Sequence, residues 1–424
     1  MTRDAVRPAL RFLLAARQSE LHGLEQLSRT CEFVARVSEL VHALQKERGY
    51  TNLYLCGTRQ QPPLALGDVS RQAEASDTRV RAFLDGMLAR DGEQGGKARL
   101  FGCIAYALYR LDELPDLRWR VRQRRLEAHE ASAAYTRLIA SLLAVVFEAA
   151  DASLDADITR LLVALLNFMQ GKELAGQERA YGVQGYTAGF FTDAQKAQMA
   201  EFAAGQQRCF ETFLHYAPAE VLPGWQRSGA HADAVLRLRE MASQTGPEQA
   251  VDPGLAELWF ELCTARIDAM HPVEQALADA LAHRCAHRIG AARDELHNHR
   301  LLLERFAQQV SGAAPAMLFD VQRRVLDQPP DGGMGGGIER SLLDILREQA
   351  ARMQQADESL AQARGALEER KRIERAKWLL VQSCGLTEPA AHQHLQRAAM
   401  ESGLSLADVA QQVLDRSAAR QAAR

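Results

Sequence analysis

The 424-residue sequence predicts an all-α protein: a large N-terminal region of helical bundles, a linker, a coiled-coil stem and a C-terminal three-helix bundle. Three observations carry this. Aromatic residues make up 6% of the chain, and alanine, leucine, arginine and glutamine dominate it. No convincing run alternates β-branched and polar residues as a half-buried strand does. Prolines cluster at Pro62-Pro63, Pro115, Pro218, Pro223, Pro247 and Pro253, and the long stretches between them suit helices packed as bundles. With 47% hydrophobic residues the chain holds material for two or three packed cores.

The first region spans residues 1–327. Its N-terminus shows no basic segment followed by an apolar one, so no secretion signal is expected. The apolar stretches near Leu142–Phe147 and Leu161–Met169 read as too short to span a bilayer. Seven cysteines, an odd number without Cys-x-x-Cys, indicate free thiols in a reducing compartment. A soluble cytoplasmic protein with no membrane partner is the expectation. Three segments set charge inside apolar helical stripes: residues 41–55 with Arg48-Gly49, residues 171–180 with Arg179, and residues 259–270 with Arg266.

Residues 328–337, with the composition Gln-Pro-Pro-Asp-Gly-Gly-Met-Gly-Gly-Gly, cannot be helix or strand interior. They read as a flexible linker spanning roughly 16–19 Å as a random coil. Residues 338–424 then hold the stem and terminal bundle. Leu342, Leu346, Gln349, Met353, Ala356, Leu360, Ala363 and Leu367 alternate steps of four and three, an a/d seam with one polar intruder. The seam fits either a dimerising coiled coil or one amphipathic helix packing on its own domain. Two alanine positions and Gly365 make it weak as a coil.

In the terminal bundle, Ile373, Ala376 and Leu380 share a helical face, and Gly385 is placed to end that helix. Thr387 is a candidate N-cap with Pro389 in the first turn of the next helix. Ala391, Leu395, Ala398 and Ala399 form the second helix's apolar face, and Ala376, Leu395 and Met400 are expected in the core. Gly403 closes that helix. Ser405 and Asp408 make a Ser-x-x-Asp capping box for a third helix carrying Val409 and Val413. Ten Lys/Arg stand against seven Asp/Glu over residues 361–424, a balance of +3 in a chain whose net charge is −3. Composition alone fits a solvated face as well as a surface for phosphates and splayed bases.

The order Arg370-Lys371-Arg372-Ile373-Glu374-Arg375-Ala376-Lys377, Gly385-Leu386-Thr387-Glu388-Pro389-Ala390-Ala391, Leu395-Gln396-Arg397 and Leu406-Ala407-Asp408-Val409-Ala410 resembles an ANTAR domain, an RNA-hairpin-binding module of bacterial antitermination. Trp378 and His392 depart from the family pattern, which has glycine and an aromatic residue there. The resemblance implies that Arg370, Arg375, Lys377, His392, Gln396 and Arg397 read hairpin loops. Upstream, Leu44-Gln45-Lys46-Glu47-Arg48-Gly49, the Gly171–Ala180 stretch and Trp259–Met270 together resemble the NIT domain, which senses nitrate and nitrite. A chain carrying both resembles nitrate-responsive transcription antiterminators. The resemblance implies nitrate or nitrite and leader-RNA hairpins as partners, with the transcription elongation complex reached indirectly, and the seam of the stem favours a homodimer.

Arg48 and Arg266 match the family's ligand-binding arginines, with Arg179 a third contributor. The chemistry agrees, because nitrate is planar, singly charged and weakly hydrated, and guanidinium is a planar fork of fixed donors. The alternative is that each arginine pairs with a nearby carboxylate such as Glu47, Glu178 or Asp268. No phosphate loop, Gly-x-Ser-x-Gly or paired-carboxylate motif is found, so neither an enzyme nor a cofactor is expected. His283 and His287, with Cys285, Glu295, His297 and His299 nearby, have the spacing of half a metal site. No second ligand pair follows, and no metal is expected. A different class stays open: a signal-dependent protein-interaction module sensing another small anion.

Overall fold

A computed structural model describes residues 3–57, 61–91, 98–151, 153, 155–229, 232–246, 250–309, 337–384 and 388–422. Their regular structure is thirteen helices, and the all-α expectation holds. The chain divides into two compact units: Met1–Ser153 with Arg160–Ala350, and Leu154–Thr159 with Ala351–Arg424.

The first unit is built on α1 (Arg3–Cys56), a 54-residue spine that packs against α2 (Leu64–Asp91), α5 (Ala128–Asp151) and α10 (Leu255–Gln309). Between them run α3 (Ala98–Asp112), α4 (Leu114–Arg122), α6 (Ala156–Ala188), α7 (Asp193–Tyr216), α8 (Leu222–Ser228) and α9 (Ala232–Gln244). Prolines punctuate as expected at Pro115 and Pro223, each in the first turn of its helix, where no backbone N–H is needed. Thr192 opens α7 with a capping box through Gln195. Pro272 is different: α10 continues through it, between the buried Met270 and Val273. An interior proline costs about 3 kcal/mol, and apolar burial on both sides holds the helix together across it.

α5 corrects one expectation. By length and composition alone it could cross a membrane, because alanines join the short apolar runs into one 24-residue helix. Its apolar side chains Tyr135, Leu138, Leu142, Val145 and Val146 are buried, where the helix packs on α1 and α3. α6 is buried nearly all round from Ile158 to Met169, as a core helix is. That same interior helix goes on to carry Lys172, Glu173, Glu178 and Arg179, all buried.

α11 (Gly337–Cys384), which belongs to the second unit from Ala351 onward, is one 48-residue helix, so stem and first bundle helix are continuous. Leu360, Ala363 and Leu367 of the seam are buried, whereas Ala356 is exposed. The side chains of Leu342, Leu346, Gln349 and Met353 lie outside the described residues, as do linker residues 328–336, Gly385 and Thr387. α12 (Glu388–Ser402) and α13 (Leu406–Ala422) complete the bundle around Ala376, Leu380, Ala391, Leu395, Val409 and Ala410. Gly403 turns between them at φ +65°, a conformation glycine adopts without steric cost. The Ser405 hydroxyl accepts from the Asp408 backbone N–H at 3.1 Å and donates to its carboxylate at 2.7 Å. Met400, expected in the core, is instead 86% exposed: the apolar face of α12 runs through Ala391, Leu395, Ala398 and Ala399 and leaves it outside.

Candidate functional site

Two helices of the first unit meet through a reciprocal exchange of arginine and glycine. A Cβ on Gly49 of α1 would lie 2.2 Å from Arg179 Nη2, and a Cβ on Gly176 of α6 would lie 2.5 Å from Arg48 Nη2. Each guanidinium therefore rests against bare backbone of the opposite helix, a closeness only glycine permits. Asn52 Nδ2 donates to the Ala180 carbonyl at 2.8 Å, and Trp259 Nε1 to the Arg179 carbonyl at 3.0 Å, tying α1 and α10 to α6.

Arg48 is fully buried. Its Nη1 and Nη2 donate to the two Glu173 oxygens at 2.5 and 3.1 Å, and Nη1 also donates to Thr136 Oγ1 at 3.0 Å. Glu173 accepts further bonds from Gln45 Nε2 at 3.0 Å and Gln177 Nε2 at 2.8 Å. Arg179 is 1% exposed and bonds to neutral groups: Thr264 Oγ1 at 2.8 Å and the Gln45 carbonyl at 2.7 Å, with its guanidinium 5.2 Å from the centre of the Phe260 ring. The Nε of each of these two arginines is buried without a partner. Burial, and then the neighbouring charge of Arg48, lower the pKa of Arg179 to about 10.

Arg266 on α10 also bonds to a neutral group, Gln206 Oε1 at 2.9 Å. Burial and then the charge of Arg239 push its pKa down. The structure thus brings Arg48 and Arg179 together, while the cationic neighbour of Arg266 is Arg239. None of the carboxylates expected as local partners takes these arginines. Glu47 is forked by Arg118 at 2.7 and 2.8 Å and accepts from Ser70 at 2.7 Å. Glu178 is forked by Arg239 at 2.5 and 2.6 Å, and Asp268 pairs with Lys46 at 3.3 Å. Adjacent residues on a helix point about 100° apart, so Glu47 cannot turn back to Arg48.

Among the described residues, then, the buried Arg179 and the half-buried Arg266 are cations without a carboxylate partner. Sequence reasoning missed Glu173, Gln45, Thr264, Gln206 and the supporting glycines. Gly49 beside Arg48 and Gly176 one turn before Arg179 were the readable signal.

In the second unit Arg375 and Arg397 are exposed. Lys377 pairs with Glu374 at 3.0 Å, and His392 and Gln396 are half-buried. The side chains of Arg370 and Trp378 lie outside the described residues. Lys371 is buried and pairs with Glu368 at 2.7 Å. His283 and His287 are exposed on α10, and the His283 ring nitrogen Nδ1 lies 2.8 Å from the Asp279 carbonyl. Among the described residues no three His, Cys, Asp or Glu side chains gather to hold a metal.

The family model described as nitrate and nitrite sensing (NIT) matches residues 39–282, and the ANTAR domain model matches residues 361–414. All three arginines fall within the first match and all six candidate RNA-contacting residues within the second. The chain is 32% identical over 400 residues to the nitrate regulatory protein of Klebsiella oxytoca, covering 94% of this chain and 93% of that one. It also matches the solved structure of the NasR transcription antiterminator at a TM-score of 0.60 and 30% identity, over 97% of this chain and 99% of that one.

Proposed function

Because the chain belongs to the NIT family of nitrate and nitrite sensors and carries a C-terminal ANTAR domain, we propose that it is a ligand-gated transcription antiterminator. Nitrate or nitrite enters the N-terminal region, residues 1–327, at Arg48, Arg179 and Arg266. Binding there frees the ANTAR domain to grip leader-RNA hairpins through Arg370, Arg375, Lys377, His392, Gln396 and Arg397. Transcription then passes a terminator upstream of nitrate or nitrite assimilation genes. Residues 328–337 serve as the linker, and residues 338–424 as stem and RNA module. The stem seam pairs two copies as a homodimer, which acts in the cytoplasm and touches the elongation complex through the RNA. The role is regulatory and not catalytic.

One observation carries the ligand reading: the buried Arg179 and the half-buried Arg266 are guanidinium groups bonded to neutral partners, with Arg48 facing the first of them. A buried charge without a counter-ion is costly, and a small planar anion relieves that cost. Four heavy atoms at a ceiling of about −1.5 kcal/mol each allow about −6 kcal/mol, a dissociation constant in the tens of micromolar. So small a ligand shifts a conformational equilibrium by only a few kcal/mol, and the resting state must be marginally preferred.

Isothermal titration of sodium nitrate tests this in the full chain and in Arg48→Ala, Arg179→Ala and Arg266→Ala variants, each checked for its helical spectrum. Binding in the unaltered protein that is lost in the variants is the expected result. Absence of binding in the unaltered protein would sink the nitrate reading and favour an interaction module sensing another anion.

A further inference from the structure

We propose that Glu173 is a built-in counter-anion that occupies the Arg48 fork when the site is empty, and that the entering nitrate or nitrite must displace it. The inference rests on the ligand reading above and deepens it by assigning the group the ligand competes with.

The argument begins with shape. A carboxylate presents two oxygens about 120° apart in one plane, and a nitrate or nitrite edge presents the same two-oxygen face to a guanidinium fork. Glu173 already holds that face, with one oxygen 2.5 Å from Nη1 and the other 3.1 Å from Nη2 of Arg48. Both side chains are buried. An anion seeking Arg48 therefore meets an occupied site.

Position separates Glu173 from the other buried glutamates. Glu47, Glu178 and Glu274 pair with Arg118, Arg239 and Lys172, none of which is among the three ligand arginines. Glu173 alone of these four sits on a ligand arginine. Gln45 joins the two halves of the site: its side chain donates to Glu173 at 3.0 Å while its carbonyl accepts from Arg179 at 2.7 Å.

Glu173 also has somewhere to go. Gln45 and Gln177 each donate an amide N–H to it, so it keeps hydrogen bonds when the guanidinium turns to the ligand. Gly176, one turn along α6, places no side chain beneath Arg48. The exchange keeps one anion on the Arg48 fork, adds the ligand's negative charge beside the cations Arg48 and Arg179, and transfers the Arg48 contact from α6 to a diffusible ion. Loosening of α1 from α6 is then the mechanical output of binding.

Nitrate titration into the full chain and its Glu173→Gln variant decides the matter. Glutamine keeps the length and planarity of the side chain and removes its charge. Removal of the competitor is expected to tighten nitrate binding at least tenfold. Unchanged or weaker binding by a folded Glu173→Gln protein would overturn the proposal, because an ion pair with a purely architectural role predicts that outcome. If Glu173→Gln does not fold, Glu173→Asp replaces it. Aspartate keeps the charge but draws the carboxylate back by one methylene from its two-point contact, so tighter binding is again expected and unchanged or weaker binding overturns. Failure of the unaltered protein to bind nitrate would instead remove the ligand reading itself, a distinct result.

Discussion

His42 shows how a single buried group contributes to the response of the first unit to acid. It stacks on His271 with ring centres 3.8 Å apart, and its Nδ1 is buried without a partner. Burial first, and then the charges of Lys172, His271, Lys46 and Arg179, push its pKa well below the usual histidine range. The folded protein therefore keeps His42 neutral while the unfolded chain takes up a proton near pH 6.5. Below that value the unfolded state binds more protons, so stability falls as pH falls, by up to about 1.4 kcal/mol per pH unit from this group. Glu39 acts in the same direction at lower pH: its pKa is lowered, first by a bond to His271, and its contribution is lost as the unfolded carboxylate protonates near pH 4.5. Urea midpoints between roughly pH 7.5 and 5.5 are expected to fall, and His42→Gln is expected to flatten that slope. An equal slope in the variant would assign the acid sensitivity elsewhere.

Among the elements, the contact between α1 and α6 depends on what is missing from it. Gly176 admits the Arg48 guanidinium and Gly49 admits that of Arg179, each within a distance no Cβ tolerates. Both arginines are buried, so neither can swing aside into solvent. Gly176→Ala is expected to cost about 1–3 kcal/mol as overpacking, despite alanine's better helix propensity. The same substitution at Gly290 of α10, where a Cβ meets nothing within 4 Å, is expected to stabilise slightly. Chemical denaturation of the two variants checks the contrast, and equal effects would mean that the α1–α6 contact has room to give. The readings of Gly403 and Ser405 succeeded because helix caps are local: the residues that make them lie within four positions. Met400 was misread because only packing against other elements decides whether a helix buries a methionine.

For the whole molecule, occupancy of the arginine site is proposed to change how the C-terminal module holds RNA. Arg375 and Arg397 are its exposed cations among the proposed contacts. Replacing both by alanine is expected to weaken hairpin binding without altering nitrate affinity in the first unit. Each lost phosphate contact lowers the salt dependence of RNA binding by about 0.7–0.9 in the logarithmic slope. Gel-shift titrations at several salt concentrations, beside nitrate calorimetry, read both quantities. Undiminished RNA binding in the double variant would move the interface elsewhere on the module. The seam residues Leu360, Ala363 and Leu367 are buried, and sedimentation of the full chain tests whether the proposed stem pairs two copies.

Much of this protein was written in its sequence: helical periodicity, proline punctuation, the Gly403 and Ser405 turns and most of the core of the terminal bundle, and the three charged segments that mark the NIT family. Those features are local, and a window of a dozen residues contains their causes. Partner choice at the site was decided by tertiary structure. Arg48 bypasses adjacent Glu47 for Glu173, 125 residues away, and Arg179 and Arg266 are left with Thr264, the Gln45 carbonyl and Gln206. Helix geometry turns neighbours apart, and packing brings distant side chains into contact, where a missing counter-ion is costly to the extent that water is excluded. The sequence shows which residues carry charge, and only the folded bundle decides which of those charges stand without a counter-ion.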